Sequence, residues 1–574
     1  MTLTADDDQV TGEDKLWVRH DGGSDDAIEL CNDDSSTGGS RRQANEPYSV
    51  VDPTDPETIV AGWNDYCLAD LGMGWQGLGY SRDGGQTWFN SFVPGYPLDT
   101  SSEGQESPLF GRNAFAGDPI AAFDNQGNLF VGGISFNRAG AINGHVYVAT
   151  YTSDDVALPG ADDYPANYSH TRIVGRGTPS RNFQGIFQDK PLLEVDRTGG
   201  AHDGNVYVCW SRFTAFGQNK IYFSRSTDTG NTFSKPIALT QHGSVGSVQG
   251  CDIAVEADGD VYVTFRTFND SASHTGNALA FVRSTDGGAS FSRARKIRNI
   301  VPYAPADPSR DCGDGPFQCP ADFVFHRVPL EPRVTADQNG ELDGIFLTYN
   351  AVDPASIVPS DTSYSSAGAG RVGQSLIYVV SSTNNGRTWS PPVAVNPGAG
   401  VMQTGHHFFP DIDALNGQLA VVWQDNRNDP EKSVQFPIGN MHDADKRGVS
   451  TGAEVVDSFL ATSTNGAAWT TVQVSDQGHQ SQYEMFGARD IPFHGDYNWI
   501  SLVWDDSADQ LVGYMTWTDN RDVVEGTDPR ETFDDGFDVH QCREEDPDGT
   551  FGPDTCPNDG GLDQNIYGRG VTFP

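Results

Sequence analysis

Apolar and β-branched residues fall in short runs along this chain, and the runs come in pairs separated by Asp, Asn and Gly. Asn45–Asp52 leads to Thr58–Trp63, Gly117–Asp124 to Asn128–Gly132, and Asp189–Asp196 to Asn205–Trp210. Asp252–Val255 leads to Asp260–Phe265, and Glu331–Asp337 to Gly344–Tyr349. Pro410–Asp413 leads to Gln418–Trp423, and Asp496–Ile500 to Tyr514–Trp517. Each pair reads as a β-hairpin, apolar inside and bounded by turn formers. One hairpin cannot bury its apolar face, whereas radial stacking of several can, and it shields their edges as well. The pattern predicts an all-β fold, a single β-propeller of seven blades, or six if the first or last copy serves another role.

A second signal follows most hairpins. Ser81–Trp88, Ser226–Phe233, Ser284–Phe291 and Ser382–Trp389 share a Ser-x-Asp-x-Gly-x-Thr-aromatic pattern, with Asn384 replacing the acid in the last, and Ser463–Trp469 is a shortened copy. Asp83, Asp228, Asp286 and Asn384 are placed to accept backbone N–H bonds across a tight turn, with glycine free to turn left-handed. This motif resembles the Asp-box, or BNR repeat, of sialidase-like propellers, and with the hairpins the resemblance spans roughly residues 45–530. It implies a propeller in which these turns are structural. It also implies a glycoside hydrolase, a polysaccharide lyase or a binding protein, because one fold carries many functions. Sialidases place their first substrate arginine in an Arg-Ile-Pro motif near the N-terminus. No such motif precedes the first turn here, and Arg489-Asp490-Ile491-Pro492 is late and interrupted, so the arginine triad is not transferred.

Composition narrows the partners. The formal charge is −43, with 62 Asp, 17 Glu, 29 Arg and 7 Lys. That field repels phosphate backbones and excludes nucleic acid as a ligand. No apolar run is long enough to span a bilayer as a helix. The sequence requires no cofactor, and an acidic surface of this kind suits either hydration or a structural Ca²⁺. Eight cysteines without zinc-type spacing point to disulfides and a secreted or cell-surface protein. Cys312 with Cys319 and Cys542 with Cys556 are the expected pairs, and Cys209, in an apolar strand, is the best candidate for a buried thiol. Residues 1–40 read as an acidic extension whose strand-like run Leu16–Arg19 is a candidate to close the ring. Residues 41–574 read as the propeller, with long loops at 303–325, 353–370 and 428–450. A disulfide-clipped excursion is expected near 522–562, before Asn565–Tyr567 finishes a blade.

Strand order places the candidate chemistry. The start of each innermost strand and the end of the second strand share one mouth of the axial channel. The starts carry Glu46, Asp118, Asp189 with Lys190, Asp252, Glu331 and Asp496, and the ends carry arginines, acids and aromatics. The candidate catalytic residues are Asp496, Tyr497, Asp519, Arg521, Asp425 and Arg427, since paired acids with arginine or tyrosine suit proton transfer on a sugar. Arg212, Arg266, Arg333, Trp423, Trp517 and His494 are the candidate substrate-binding residues. Glu46, Asp118 and Glu331 are the candidate metal ligands. The Asp-x-Arg pairs serve equally well as braces, through bidentate contacts. The expected function is a secreted carbohydrate-active protein, a glycoside hydrolase or lyase on acidic glycans, monomeric, with glycan as partner. The alternative is a non-catalytic extracellular binding or scaffold propeller.

Overall fold

Each predicted hairpin supplies the two innermost strands of one antiparallel sheet, and seven such sheets form a propeller ring in the computed structural model. The structure describes residues 1–11, 31, 43–68, 73–137, 144–153, 167–178, 185–214, 219–240, 246–268, 276–306, 327–438, 455–479, 493–522 and 564–573. Blade 1 begins with Ala44–Asp52, and blades 2 to 7 begin with Phe115–Phe123, Ile186–Val195, Val248–Val255, Arg333–Ala336, His407–Leu415 and Trp499–Asp505. Blades 1 to 6 have four strands in chain order. Blade 7 takes Asn565–Thr572 as its third strand, and Thr2–Leu3 and Asp8–Gln9 both pair with that strand. The N-terminal segment therefore joins the first and last parts of the chain within one sheet. The expected ring-closing run Leu16–Arg19 lies outside the described residues.

Alternation along the strands puts apolar side chains between blades. Trp63, Trp75, Trp210, Trp423 and Trp517 are all fully buried. The Ser-x-Asp turns connect third to fourth strands, at the face opposite the strand starts. In three of them one carboxylate gathers the loop: Asp286 Oδ1 accepts from Ser290 N at 2.9 Å and Oδ2 from Ser290 Oγ at 2.6 Å. Burial opposes the charge there, but these hydrogen bonds outweigh it and hold the Asp286 carboxyl down to about 2. Asp83 and Asp228 repeat the geometry, and Asn384 keeps it with an amide.

The turns also join blades. The turn aromatics Trp88, Phe291 and Trp389 pack on Tyr514, Phe223 and Phe281 of the preceding blade, at centroid distances of 5.8, 4.7 and 5.6 Å. Gly386, at φ +70°, lies so close to the Phe281 ring that a Cβ would collide with it.

At the axis the innermost strands have free edges, and their N–H groups need partners. Side chains of neighbouring blades supply them. Asp252 accepts from Val334 N at 2.7 Å, Asp411 from Ile500 N at 2.9 Å, and Asp413 from Leu502 N at 2.7 Å. Ser501 Oγ accepts from Val51 N at 3.2 Å, which continues the pattern from blade 7 to blade 1.

The disulfides correct one expectation. Cys209 is bonded to Cys251, tying blade 3 to blade 4, and Cys31 is bonded to Cys67. Cys209 is thus no buried thiol, because the innermost strand of the next blade brings a second sulfur to it. Cys312, Cys319, Cys542 and Cys556 lie outside the described residues.

Candidate functional site at the axial mouth

Proline shapes the mouth. Glu46, Asp118, Lys190 and Phe409 each precede a proline, which has no N–H for the ladder and is accommodated at a bulge. The strand registers skip at all four positions. The residue before each proline takes a left-handed conformation, with φ of 57°, 50°, 48° and 51°. Such a conformation is strained for a side-chain-bearing residue, doubly so before proline, and strain of this kind gathers at functional sites.

These bulges bring Glu46, Asp118 and Lys190 together with residues from other blades. Lys190 Nζ lies 3.3 Å from Glu331 Oε1 and bonds Asp496 Oδ2. Arg327 clasps the same carboxylate with one edge of its guanidinium, Nε to Oδ1 at 2.7 Å and Nη2 to Oδ2 at 2.5 Å. Asn64 donates to Glu46 Oε2 at 2.6 Å, and its own oxygen accepts from Asp118 N. Asp118 Oδ2 accepts from Lys190 N at 2.9 Å. The Lys190 ammonium thus stands among Glu46, Asp118 and Glu331, the residues expected to hold a metal.

Burial and charge sort the protons. Burial works against the charge on Lys190, but Asp496, Glu331, Asp118 and Glu46 outweigh it and hold the ammonium. Burial opposes ionisation of Asp496 too, and Arg327 and Lys190 overcome it, keeping this carboxyl well below the usual range. Glu46 goes the other way, pushed up by burial and then by Asp496 and Asp118. Asp189 is likewise pushed well up, by burial and then by the charge of its hydrogen-bond partner Asp118. With five carboxyl groups against Lys190 and Arg327, Glu46 and Asp189 are the two driven toward the neutral acid.

The ring opens into a cleft of about 540 Å³. Glu46, Asp118, Asp189, Lys190 and Arg327 line its polar side. Phe115, Phe136, Phe187, Phe213 and Phe493 line it as well, together with Asn64, Tyr66, Ile134, Asn137 and Gln249. Asp118, Asp189 and Arg327 are partly exposed, whereas Glu46, Lys190 and Asp496 are buried.

Most of the other sequence-derived candidates lie elsewhere. Asp425 and Arg427 bond each other, Nε to Oδ1 at 2.9 Å, with Trp423 Nε1 donating to Asp425 at 2.8 Å and Phe459 under the guanidinium. Asp519 and Arg521 repeat this clasp beside Trp517, and Arg521 reaches on to Asp7 of the N-terminal segment. None of these four lines the cleft. They brace blades 6 and 7, because a two-residue spacing in a strand end puts Asp and Arg on one side. Trp423 and Trp517 are core residues with no exposed face. His494 is buried, bonded to Gln424 at 3.1 Å and stacked on His479. Arg212 lies on the Tyr222 ring and Arg266 on Phe268. Arg333 sits deeper in the channel, against Tyr497 and Trp499. Tyr497 donates to Pro119 O at 3.3 Å. Of the six catalytic candidates, only Asp496 enters the network at the mouth.

Sequence reasoning left out Arg327 and the phenylalanines, and gave Asp189 and Lys190 no role. The last two had a signal, since Asp189-Lys190-Pro191 aligns with Glu46-Pro47 and Asp118-Pro119. Arg327 had none, because it follows a long segment without pattern. Away from the mouth, Glu256, Asp258 and Asp260 bring carboxylate oxygens within 4.8 Å of one another. Arg283 engages Asp260 there, and Tyr262 donates to Glu256.

No protein-family model and no curated protein sequence matches the chain. Among solved structures it is similar to a protein of unknown function from Dyadobacter fermentans, with 13% identity, 68% of this chain and 92% of that one covered, and a TM-score of 0.36. It is similar to the leech intramolecular trans-sialidase, with 12% identity, 67% and 65% covered, and a TM-score of 0.38. It is also similar to an α-L-arabinanase from Penicillium chrysogenum, with 13% identity, 66% and 88% covered, and a TM-score of 0.38.

Proposed function

We propose that this protein is an extracellular glycoside hydrolase acting at the axial mouth, with Asp189 as its proton donor. The observation that carries the reading is the Asp189–Asp118 pair. It is a carboxyl group held toward the neutral acid, beside a second carboxyl, on a cleft large enough for sugar units. Asp189 gives its proton to the departing glycosidic oxygen as the C–O bond breaks. The acidic ring then faces the positive charge that develops on the sugar ring, an oxocarbenium-like state that nearby negative charge stabilises. Water closes the reaction at the anomeric carbon and returns a proton to the Asp189 carboxylate. Acidic glycans are the substrate class in this reading, with the partly exposed Arg327 adding positive charge to the cleft lining. Two disulfides support an oxidising compartment. In this reading the Ser-x-Asp turns are the Asp-boxes of a sialidase-like propeller, serving the fold alone.

The test is a turnover screen on sialosides, uronic-acid polysaccharides and neutral glycans with the wild-type protein and Asp189→Asn. The expected result is turnover that falls by about 10²–10⁴-fold in the variant with ligand binding retained. Because Asp189 must be protonated to act, rate should also be lost as pH rises through its elevated pKa. The tight Lys190–Asp496–Arg327 network favours a second reading, a rigid binding propeller. Glycan binding by the wild-type protein without turnover on any substrate would establish that reading and rule out hydrolysis.

A further inference from the structure

The non-polar wall of the cleft is built by repetition. Phe115 and Phe136 face each other across the first two strands of blade 2, and Phe187 and Phe213 lie at the corresponding ends of the first two strands of blade 3. Phe187 pairs directly with Phe213 in register, as Phe115 does with Phe136. The rings run on from one another, Phe115 to Phe136 at 5.7 Å and Phe136 to Phe187 at 6.3 Å, so two blades share one shelf. All four side chains are only partly buried and line the same cleft as Asp118 and Asp189. Phenylalanine has no donor or acceptor for sugar hydroxyls. Tyrosine and tryptophan offer such a polar handle; Tyr66 is in the described lining of the cleft, but none of the four rings of the shelf carries one. A surface of this kind gains by removing apolar area from water.

We infer that the shelf is a subsite for an apolar aglycone, so that the ligand is an amphiphile: a sugar head at the carboxyl pair and an alkyl or aryl group over Phe115, Phe136, Phe187 and Phe213. This rests on the glycan reading above for the head and on the shelf alone for the tail. The cleft's lining offers both halves, carboxyls with Arg327 and the four rings of the shelf. The Asp118 and Lys190 bulges and the ends of the second strands of blades 2 and 3 lie on the same face, so the two halves of such a ligand are adjacent.

The experiment is titration calorimetry of the full chain with a series of n-alkyl β-D-glucuronides, methyl to hexyl, at one fixed head group. Leaving-group chemistry plays no part in binding, and changes within the series report the tail alone. Affinity should rise about fourfold per methylene in the wild-type protein. The rise should flatten in Phe187→Ala and in Phe213→Ala, with Phe187→Leu, a milder cavity change, retaining most of it. Thermal unfolding of each variant shows that it is folded. No dependence on chain length, or a dependence that both alanine variants keep, overturns the shelf. Turnover of the same compounds is scored separately. A chain-length dependence without hydrolysis keeps the shelf and sinks the enzymatic reading, and hydrolysis without chain-length dependence does the reverse.

Discussion

Single residues at the mouth are worth what their surroundings make of them. Asp425 and Asp496 are both fully buried aspartates bonded to arginine, yet only Asp496 belongs to a network that reaches the cleft. Asp425 is satisfied within its own blade by Trp423 and Arg427. Removing Arg427 leaves a buried carboxylate short of its counter-charge, a loss of about 3–5 kcal/mol. Arg427→Ala should therefore lower the urea midpoint strongly while leaving glycan binding by the folded fraction intact. A variant of wild-type stability that had lost turnover would instead return this pair to the active site. The sequence showed Asp-x-Arg twice. It did not show that the partner of each aspartate lies two residues away and not across the axis.

At the level of elements, the bulge and the turn do different work at opposite faces. The bulge holds charged side chains in a strained conformation over the mouth. The turn closes on itself through one carboxylate and presses an aromatic ring onto the blade before it. The turn glycine is part of that contact, since Gly386 is left-handed and abuts Phe281. Gly386→Ala should destabilise the protein by about 1–3 kcal/mol, through backbone strain and displacement of the ring. Equilibrium unfolding in urea measures it, and a neutral result would mean that blades 4 and 5 do not meet at this turn. These elements were the most legible part of the chain. Their information is local: a period-two apolar pattern, a proline that cannot join a ladder, and a Ser-x-Asp-x-Gly turn.

Across the whole molecule, the axis concentrates buried acid. Burial raises Asp252 to about 6, Glu194 to about 7 and Asp411 to about 8, each despite a nearby arginine. A carboxyl raised on folding binds its proton more tightly in the native state. Its contribution is complete below the unfolded value near 4 and is lost as pH rises through the folded value. Stability should therefore decline between pH 5 and pH 9, by about 2 kcal/mol or more. Asp411→Asn, which keeps an oxygen for Ile500 N, should flatten the upper part of that decline. Urea unfolding at a series of pH values checks both, and a flat profile would mean that water reaches the channel and ionises these groups freely. The chain's charge of −43 acts in the same direction, since deprotonation adds to its self-repulsion.

The sequence alone determined the all-β character, the seven hairpins, the turns and the identity of the residues at the strand starts, because each of these follows from neighbours along the chain. It also supplied the acids of the mouth. Only the tertiary structure decided which of them meet. Lys190 of blade 3 stands between Glu331 and Asp496, more than a hundred residues away, and Arg327 arrives from outside any hairpin. Cys209 finds Cys251 across a blade boundary, and four phenylalanines from two blades form one wall. The physical reason is closure of the ring. Curvature sets which strand ends face one another, and burial then sets which carboxyls keep their protons; neither quantity is carried by any short stretch of sequence.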